Sequence, residues 1–331
     1  MIISQTPFRV SFFGGGTDFP EFYRRHGGAV LLTTIDQYCY ITIHRLAPFF
    51  KHRFKANYAQ TETVQRAEDF QHPLIRECLL QLQFTEGLEI AHVSDLPGRT
   101  GLGSSSSFTV GLLNALHAFR NAKASPDSLA QEAIHIERTR VGDPGGHQDQ
   151  YAAAFGGFIR IDFSEGPKVV VRPVSISTAR KAELQGHLMM FYTGMEQSAD
   201  HILHEQRKRV DQNTAALKEM LGLVDEAENL LTGKTDISAF GQLLGESWKR
   251  KKSLSNGISN GLVDQAYESA LGAGATGGKL LGAGGRGFLL LFAAPDKQTA
   301  IRQRLENLQE VPFGLSDQGS HIIFAAQEKS R

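Results

Sequence analysis

The chain has 331 residues, 41% of them hydrophobic, which is enough for two domains that each bury a core. Its 35 basic and 35 acidic residues cancel, so no global field favours nucleic acid or an anionic membrane surface as a partner. The two cysteines, Cys39 and Cys78, are too few for a disulfide framework and lack metal-ligand spacing; with no apolar run long enough to span a membrane, the cytoplasm is the expected location.

In chain order, Ile2 to Phe13 alternate as a strand that sets Arg9 opposite a buried face. Gly14-Gly-Gly-Thr-Asp18 follows as a turn presenting a hydroxyl and a carboxylate. That carboxylate could grip sugar hydroxyls, or Thr17-Asp18 could cap a helix predicted over Pro20 to Arg25. Residues 28–46 are rich in β-branched and aromatic side chains and predict two strands, followed by a helix near His72 to Gln83 and a strand near Leu88 to Val93.

The stretch Asp95-Leu-Pro-Gly-Arg-Thr-Gly-Leu-Gly-Ser-Ser-Ser-Ser107 then joins a strand end to an apolar helix. Gly98, Gly101 and Gly103 let the backbone curl closely, and Val110, Leu112, Leu113, Leu116 and Phe119 recur at helical spacing behind Ser104 to Ser107. A helix start offers unpaired N–H groups and the positive dipole end, so this loop can cradle a phosphate; the plainer reading is a polar loop with a serine-rich cap. No lysine follows the last glycine, so it is not a Walker A loop, and neutralising charge must come from a metal and from basic residues elsewhere.

Ser125-Pro126 starts a helix running to about Arg140, with Glu137 near its end, where the dipole disfavours an acid and a cation would explain it. The glycine-rich turn 142–150 carries Asp143 and Asp149, and the apolar fragment Tyr151 to Phe155 would hold Asp149 in place before a strand at Gly157 to Phe163. Past Gly166-Pro167 and Pro173 a second domain begins, with a buried strand at His187 to Thr193 and helices over Ser198 to Leu231, Ile237 to Ser253 and Leu262 to Ala275. The run Lys249-Arg-Lys-Lys252 reads as a solvated helix face or as a steering patch for an anionic substrate. Gly282, Gly284 and Gly287 match a dinucleotide motif by letter only, since a helix precedes them and the strand Phe288 to Phe292 follows; a wall against substrate or phosphate is expected instead. A helix at Lys297 to Leu308 and a strand at His321 to Ala325 end the pattern.

Three stretches, Pro7 to Asp18, Pro97 to Ser107 and Lys279 to Phe288, resemble in order and spacing the three motifs of the GHMP kinases. The resemblance implies an α+β fold: an N-terminal domain, residues 1–165, with a left-handed βαβ unit, and a ferredoxin-like C-terminal domain, residues 166–331. It implies ATP and Mg2+ as cofactors, with the triphosphate on Gly101, Leu102, Gly103, Ser104, Ser105 and Ser106, and the metal on Ser105 and Glu137. Asp149 falls on the catalytic aspartate and Arg9 on its basic neighbour. Gly15, Gly16, Thr17, Asp18, Gly284 and Arg286 fall on the substrate side, although many relatives have glycine where Arg286 stands. Within the family the likeness runs to heptose 7-phosphate kinases through Phe12 to Asp18, Thr34-Ile-Asp36 and Asp143 to Gly157, which implies a sugar 1-kinase acting on a heptose phosphate. A 1-kinase of an unphosphorylated sugar, an ATP-dependent decarboxylase and an inactive sugar sensor of the same fold are the alternatives. The partners expected are ATP and a small sugar or sugar phosphate, with a homodimer as one assembly compatible with these features.

Overall fold

The structure, a computed structural model, describes residues 1–164, 168–194 and 199–326. The expected domain boundary at 165/166, the Gly166-Pro167 crossing and the helix start at Ser198 lie outside the described residues. The first half runs β1 (Ile2–Phe13), α1 (Pro20–His26), β2 (Gly28–Arg45), β3 (Phe54–Asn57), β4 (Thr61–Val64), α2 (Pro73–Gln81), β5 (Leu88–Ser94), α3 (Ser104–Phe119), α4 (Pro126–Ile134), α5 (Gln148–Phe155), β6 (Phe158–Phe163) and β7 (Val169–Pro173). The second runs α6 (Thr178–His187), β8 (Leu188–Tyr192), α7 (Ala199–Lys208), α8 (Thr214–Thr232), α9 (Ser238–Ser253), α10 (Gly261–Gly272), β9 (Ala275–Leu280), β10 (Phe288–Ala293), α11 (Gln298–Arg304), β11 (Gln309–Glu310), β12 (Leu315–Ser316) and β13 (His321–Ala325).

The first sheet runs β13-β1-β2-β5-β3-β4, with β6 and β12 also on β2 and β7 on β6. Residues 28–45 form one strand rather than the two expected. The reason is its partners: β1 accompanies it along one side, while Gly28 to Thr33 pair with β6 and Cys39 to Arg45 with β5 on the other. β3, β4, β7 and α6 carry no long apolar pattern and escape the sequence reading; only Leu184 of α6 is buried. The predicted helix to Leu231 is two helices, parted at 209–213, where Asn213 Nδ2 donates to the Leu254 carbonyl at 2.7 Å.

The second sheet is antiparallel, in the order β11-β8-β10-β9. The sequence of elements from β8 to β11 is β-α-β-β-α-β with several helices in the first crossover, the ferredoxin-like arrangement expected from the resemblance. Residues 275–280, expected as the end of a helix and part of a glycine hinge, instead form β9. The last strands return to the first sheet, β12 pairing with β2 and β13 with β1. Phe240 of α9 joins the two layers: its ring lies 5.4 Å from Phe12 and 6.0 Å from Phe292. Among the described residues no helix is long and apolar enough to cross a membrane.

Candidate active site

α3 buries Val110, Leu112, Leu113, Ala115 and Leu116, which fixes where its N-terminus lies. None of the four serines caps the helix, so the serine-cap reading does not hold. Ser104 Oγ accepts from Arg99 N–H at 3.2 Å, Ser106 Oγ donates to Glu137 Oε2 at 2.9 Å, and Ser107 Oγ donates to the Pro7 carbonyl at 2.8 Å. Ser105 is exposed, and its hydroxyl has no hydrogen bond among the described residues. The helix start is thus left open to an anion. Behind the loop, Gly101 sits at φ +84 with Leu281 O only 2.2 Å from where its Cβ would be, and a Cβ on Gly282 would stand 2.4 Å from Gly101 Cα. The loop therefore rests on the third glycine motif backbone to backbone, an approach no side chain would permit.

Arg9 projects from β1 beneath this loop. Its Nε and Nη2 donate to the two carboxylate oxygens of Asp149 at 2.8 and 2.9 Å, its Nη1 donates to the Gly101 carbonyl at 2.5 Å, and its backbone N–H to the Leu102 carbonyl at 3.0 Å. A forked pair of this kind holds the carboxylate in one plane. Asp149 lies in the first turn of α5, and a side chain on Gly103 would begin 3.4 Å from its Cγ. The loop 101–106 thus passes directly over the ion pair.

Thr17 and Asp18 do not cap α1. Thr17 Oγ1 donates to the carbonyls of Gly14 and Ala29, and the Asp18 carboxylate accepts from the N–H groups of Gly16 at 2.8 Å and Gln148 at 3.2 Å. Asp18 is 2% exposed and so ties the glycine turn to α5. Gly284 is buried, with Ile258 Cα 2.6 Å from where its Cβ would be; Arg286 is exposed beside Gly194. Asp143 is taken by Arg138 Nη1 and by the Gly145 N–H.

Glu137 belongs to a π-helical segment, His135–Val141, that prolongs α4. It is 1% exposed; Oε2 accepts from Ser106 and from Gln150 Nε2, while Oε1 is buried with no hydrogen-bond partner. Burial raises its pKa, and Arg138 only partly offsets this. Arg138 Nη2 stands 3.7 Å from Oε2 and supplies one positive charge, and Oε1 remains open to a further donor or cation. Among the described residues no three His, Cys, Asp or Glu side chains gather, so any cation here relies on few protein ligands, as Mg2+ commonly does beside phosphates.

Two lysines escaped the sequence reading. Lys251, within the run read as a solvated face or a steering patch, is 7% exposed; burial lowers its pKa, Arg9 acts in the same direction, and the carboxylates of Asp18 and Asp149 favour its charged form. The signal for it was present, because Phe240, Leu244 and Trp248 precede it at helical spacing on the buried face of α9. Lys279 of β9 is 5% exposed and donates to the carbonyls of Ser11 and Phe12, both at 2.9 Å, pinning β1 to the second sheet. Ser11 and Gln148 complete the group, the Ser11 hydroxyl donating to Gln148 Oε1 at 2.6 Å.

Comparison with known proteins agrees with this architecture. A family model described as the GHMP kinases N terminal domain matches residues 70–157, and one for the GHMP kinases C terminal domain matches residues 226–310. The chain is 30% identical to a D-glycero-alpha-D-manno-heptose 7-phosphate kinase of Campylobacter jejuni, covering 94% of this chain and 96% of that one. It is 25% identical to a galactokinase of Thermococcus kodakarensis over 93% and 94% of the two chains. A solved D-glycero-D-manno-heptose 1-phosphate kinase from Bacteroides thetaiotaomicron superposes with a TM-score of 0.74 at 25% identity, over 99% and 100% of the chains. The family models and the kinases among these relatives make the chain an ATP-dependent sugar phosphotransferase. The chain belongs to the GHMP kinases.

Proposed function

We propose that the protein transfers the γ-phosphoryl group of ATP to the anomeric hydroxyl of a heptose 7-phosphate, giving the 1,7-bisphosphate. The observation that carries this reading is the Arg9–Asp149 pair directly under the loop 101–106, in a chain 30% identical to a heptose 7-phosphate kinase. Phosphoryl transfer proceeds through a loose transition state, so alignment and charge neutralisation do most of the work. The open N–H groups of α3 and the backbone of Gly101 to Ser106 bind the triphosphate. Asp149, held in plane by Arg9, accepts the proton of the attacking hydroxyl. Thr17 and Asp18 shape the acceptor side with Gly15 and Gly16, and Arg286 with Gly284 borders it. The nucleotide is assigned to the N-terminal domain and the acceptor to the cleft it forms with the C-terminal one.

Mg2+, when bound, neutralises charge on the phosphates. Glu137, through its orphan Oε1, would hold it, with Ser106 and Gln150 orienting the carboxylate; the Ser105 hydroxyl, expected as the second ligand, faces solvent, and no contact among the described residues joins it to Glu137. Glu137→Gln should raise the Mg2+ concentration for half-maximal rate about tenfold or more, read from a magnesium titration of the steady-state rate. An unchanged titration would take Glu137 out of this role.

The substrate is tested with a panel of heptose 7-phosphate, heptose 1-phosphate, free heptose, galactose and fucose in a coupled ADP assay. We expect kcat/KM for the 7-phosphate to exceed that for each free sugar by about tenfold or more, since a substrate phosphate adds charge-assisted contacts. The galactokinase likeness favours a second reading, a 1-kinase of an unphosphorylated sugar, and preference for a free sugar would establish it.

A further inference from the structure

We propose that Lys251 Nζ and Gln148 Nε2 form a donor pair that grips the acceptor sugar through hydroxyl oxygens next to the one being phosphorylated. The assignment rests on reading this cleft as the acceptor site of a kinase. Of the four basic residues in the run 249–252, Lys252 pairs with Asp264, Arg250 pairs with Glu219 and Glu246, and Lys249 is exposed. Lys251 alone turns inward, and among the described residues its ammonium has neither hydrogen bond nor ion pair. Buried ammonium groups ordinarily find partners, as Lys279 does on two carbonyls.

The space that Lys251 faces is the one a side chain at Gly15 would fill. From that position Gln148 Nε2 lies 3.6 Å away, Lys251 Nζ 3.8 Å and Ser11 Oγ 3.9 Å. Gln148 Oε1 is taken by Ser11 and its backbone N–H by Asp18, while its Nε2 has no acceptor among the described residues. Two donors therefore converge beside the buried Gly15 with no acceptor for either among the described residues. Ser11 follows Arg9 on the same face of β1, displaced by about 7 Å along the strand. A sugar whose reacting hydroxyl meets Asp149 thus extends its neighbouring hydroxyls over Ser11 and Gly15. Asp18, Arg9 and Asp149 all act on Lys251, so the charges around it nearly cancel and the occupant proposed is a neutral hydroxyl rather than a phosphate.

Lys251→Met keeps the volume and removes the charge. An ammonium on a 7%-exposed side chain, with no acceptor among the described residues, contributes little to the fold, so this variant should melt at the same temperature as wild type or higher, whereas loss of a structural lysine lowers it. At the same time KM for the acceptor should rise about tenfold or more, for free and phosphorylated sugar alike, with KM for ATP within about twofold of wild type. Gln148→Leu should raise the acceptor KM in the same direction by a smaller factor. Four results would overturn the assignment: an unchanged acceptor KM in Lys251→Met, a rise confined to phosphorylated acceptors, a rise in KM for ATP instead, or a variant that melts lower or does not fold. Failure of the wild-type protein to turn over any sugar would remove the kinase reading itself, and this proposal with it.

Discussion

Asp149→Asn should lower kcat by about two orders of magnitude or more while ATP still binds with near wild-type affinity. Asparagine keeps the shape of the side chain but cannot take up the acceptor's proton. It also turns an NH2 group toward Arg9, whose fork now donates to both carboxylate oxygens. Nucleotide binding should survive, because the groups assigned to the triphosphate are the backbone of Gly101 to Ser106 and the start of α3. The check is kcat at saturating sugar and ATP, with the nucleotide Kd measured by calorimetry. Turnover within a few-fold of wild type would remove Asp149 from the role of base.

The second large effect is on stability. Arg9→Met leaves the Asp149 carboxylate and the Gly101 carbonyl without their donor, at a site where the Arg9 side chain is 6% exposed and that of Asp149 23%. Removing one partner of a buried pair typically costs about 3 kcal/mol or more, the partial exposure of Asp149 setting the lower end here. Urea unfolding would measure it, and a loss under about 1 kcal/mol would show that the pair carries little of the fold. The double variant Arg9→Met with Asp149→Asn should lose less than the sum of the two, since the second change relieves the charge stranded by the first. Activity should fall in Arg9→Met as well, because the loop proposed to bind the triphosphate loses the guanidinium's bond to the Gly101 carbonyl.

The comparison of sequence with structure divides along a physical line. Arg9, the loop 101–106 and Asp149 were legible because each sits where a local pattern changes, from alternation to glycines or from glycines to a helix, and local pattern is what a sequence carries. The serines were legible as a group and not individually. Which of them faces Glu137, Pro7 or solvent depends on where the first turn of α3 lies against its neighbours, and the structure gives Glu137 to Ser106 and leaves Ser105 exposed. Glu137 stood out by its position at a helix end, but its burial and orphan oxygen come from the packing around it. Asp18 looked like a helix cap from its neighbours in sequence, and a partner 130 residues away, the N–H of Gln148, takes its carboxylate instead.

By itself the sequence determined the class of fold, the glycine–serine loop ahead of α3 and the acid beneath it, since these depend on backbone freedom and on residue types at short spacing. Only the tertiary structure decided how charge is distributed around them. Lys251 and Lys279 lie far along the chain from β1, and whether such a lysine is solvated, pinned to carbonyls or left without a partner follows from the low-dielectric surroundings that the second domain closes over it.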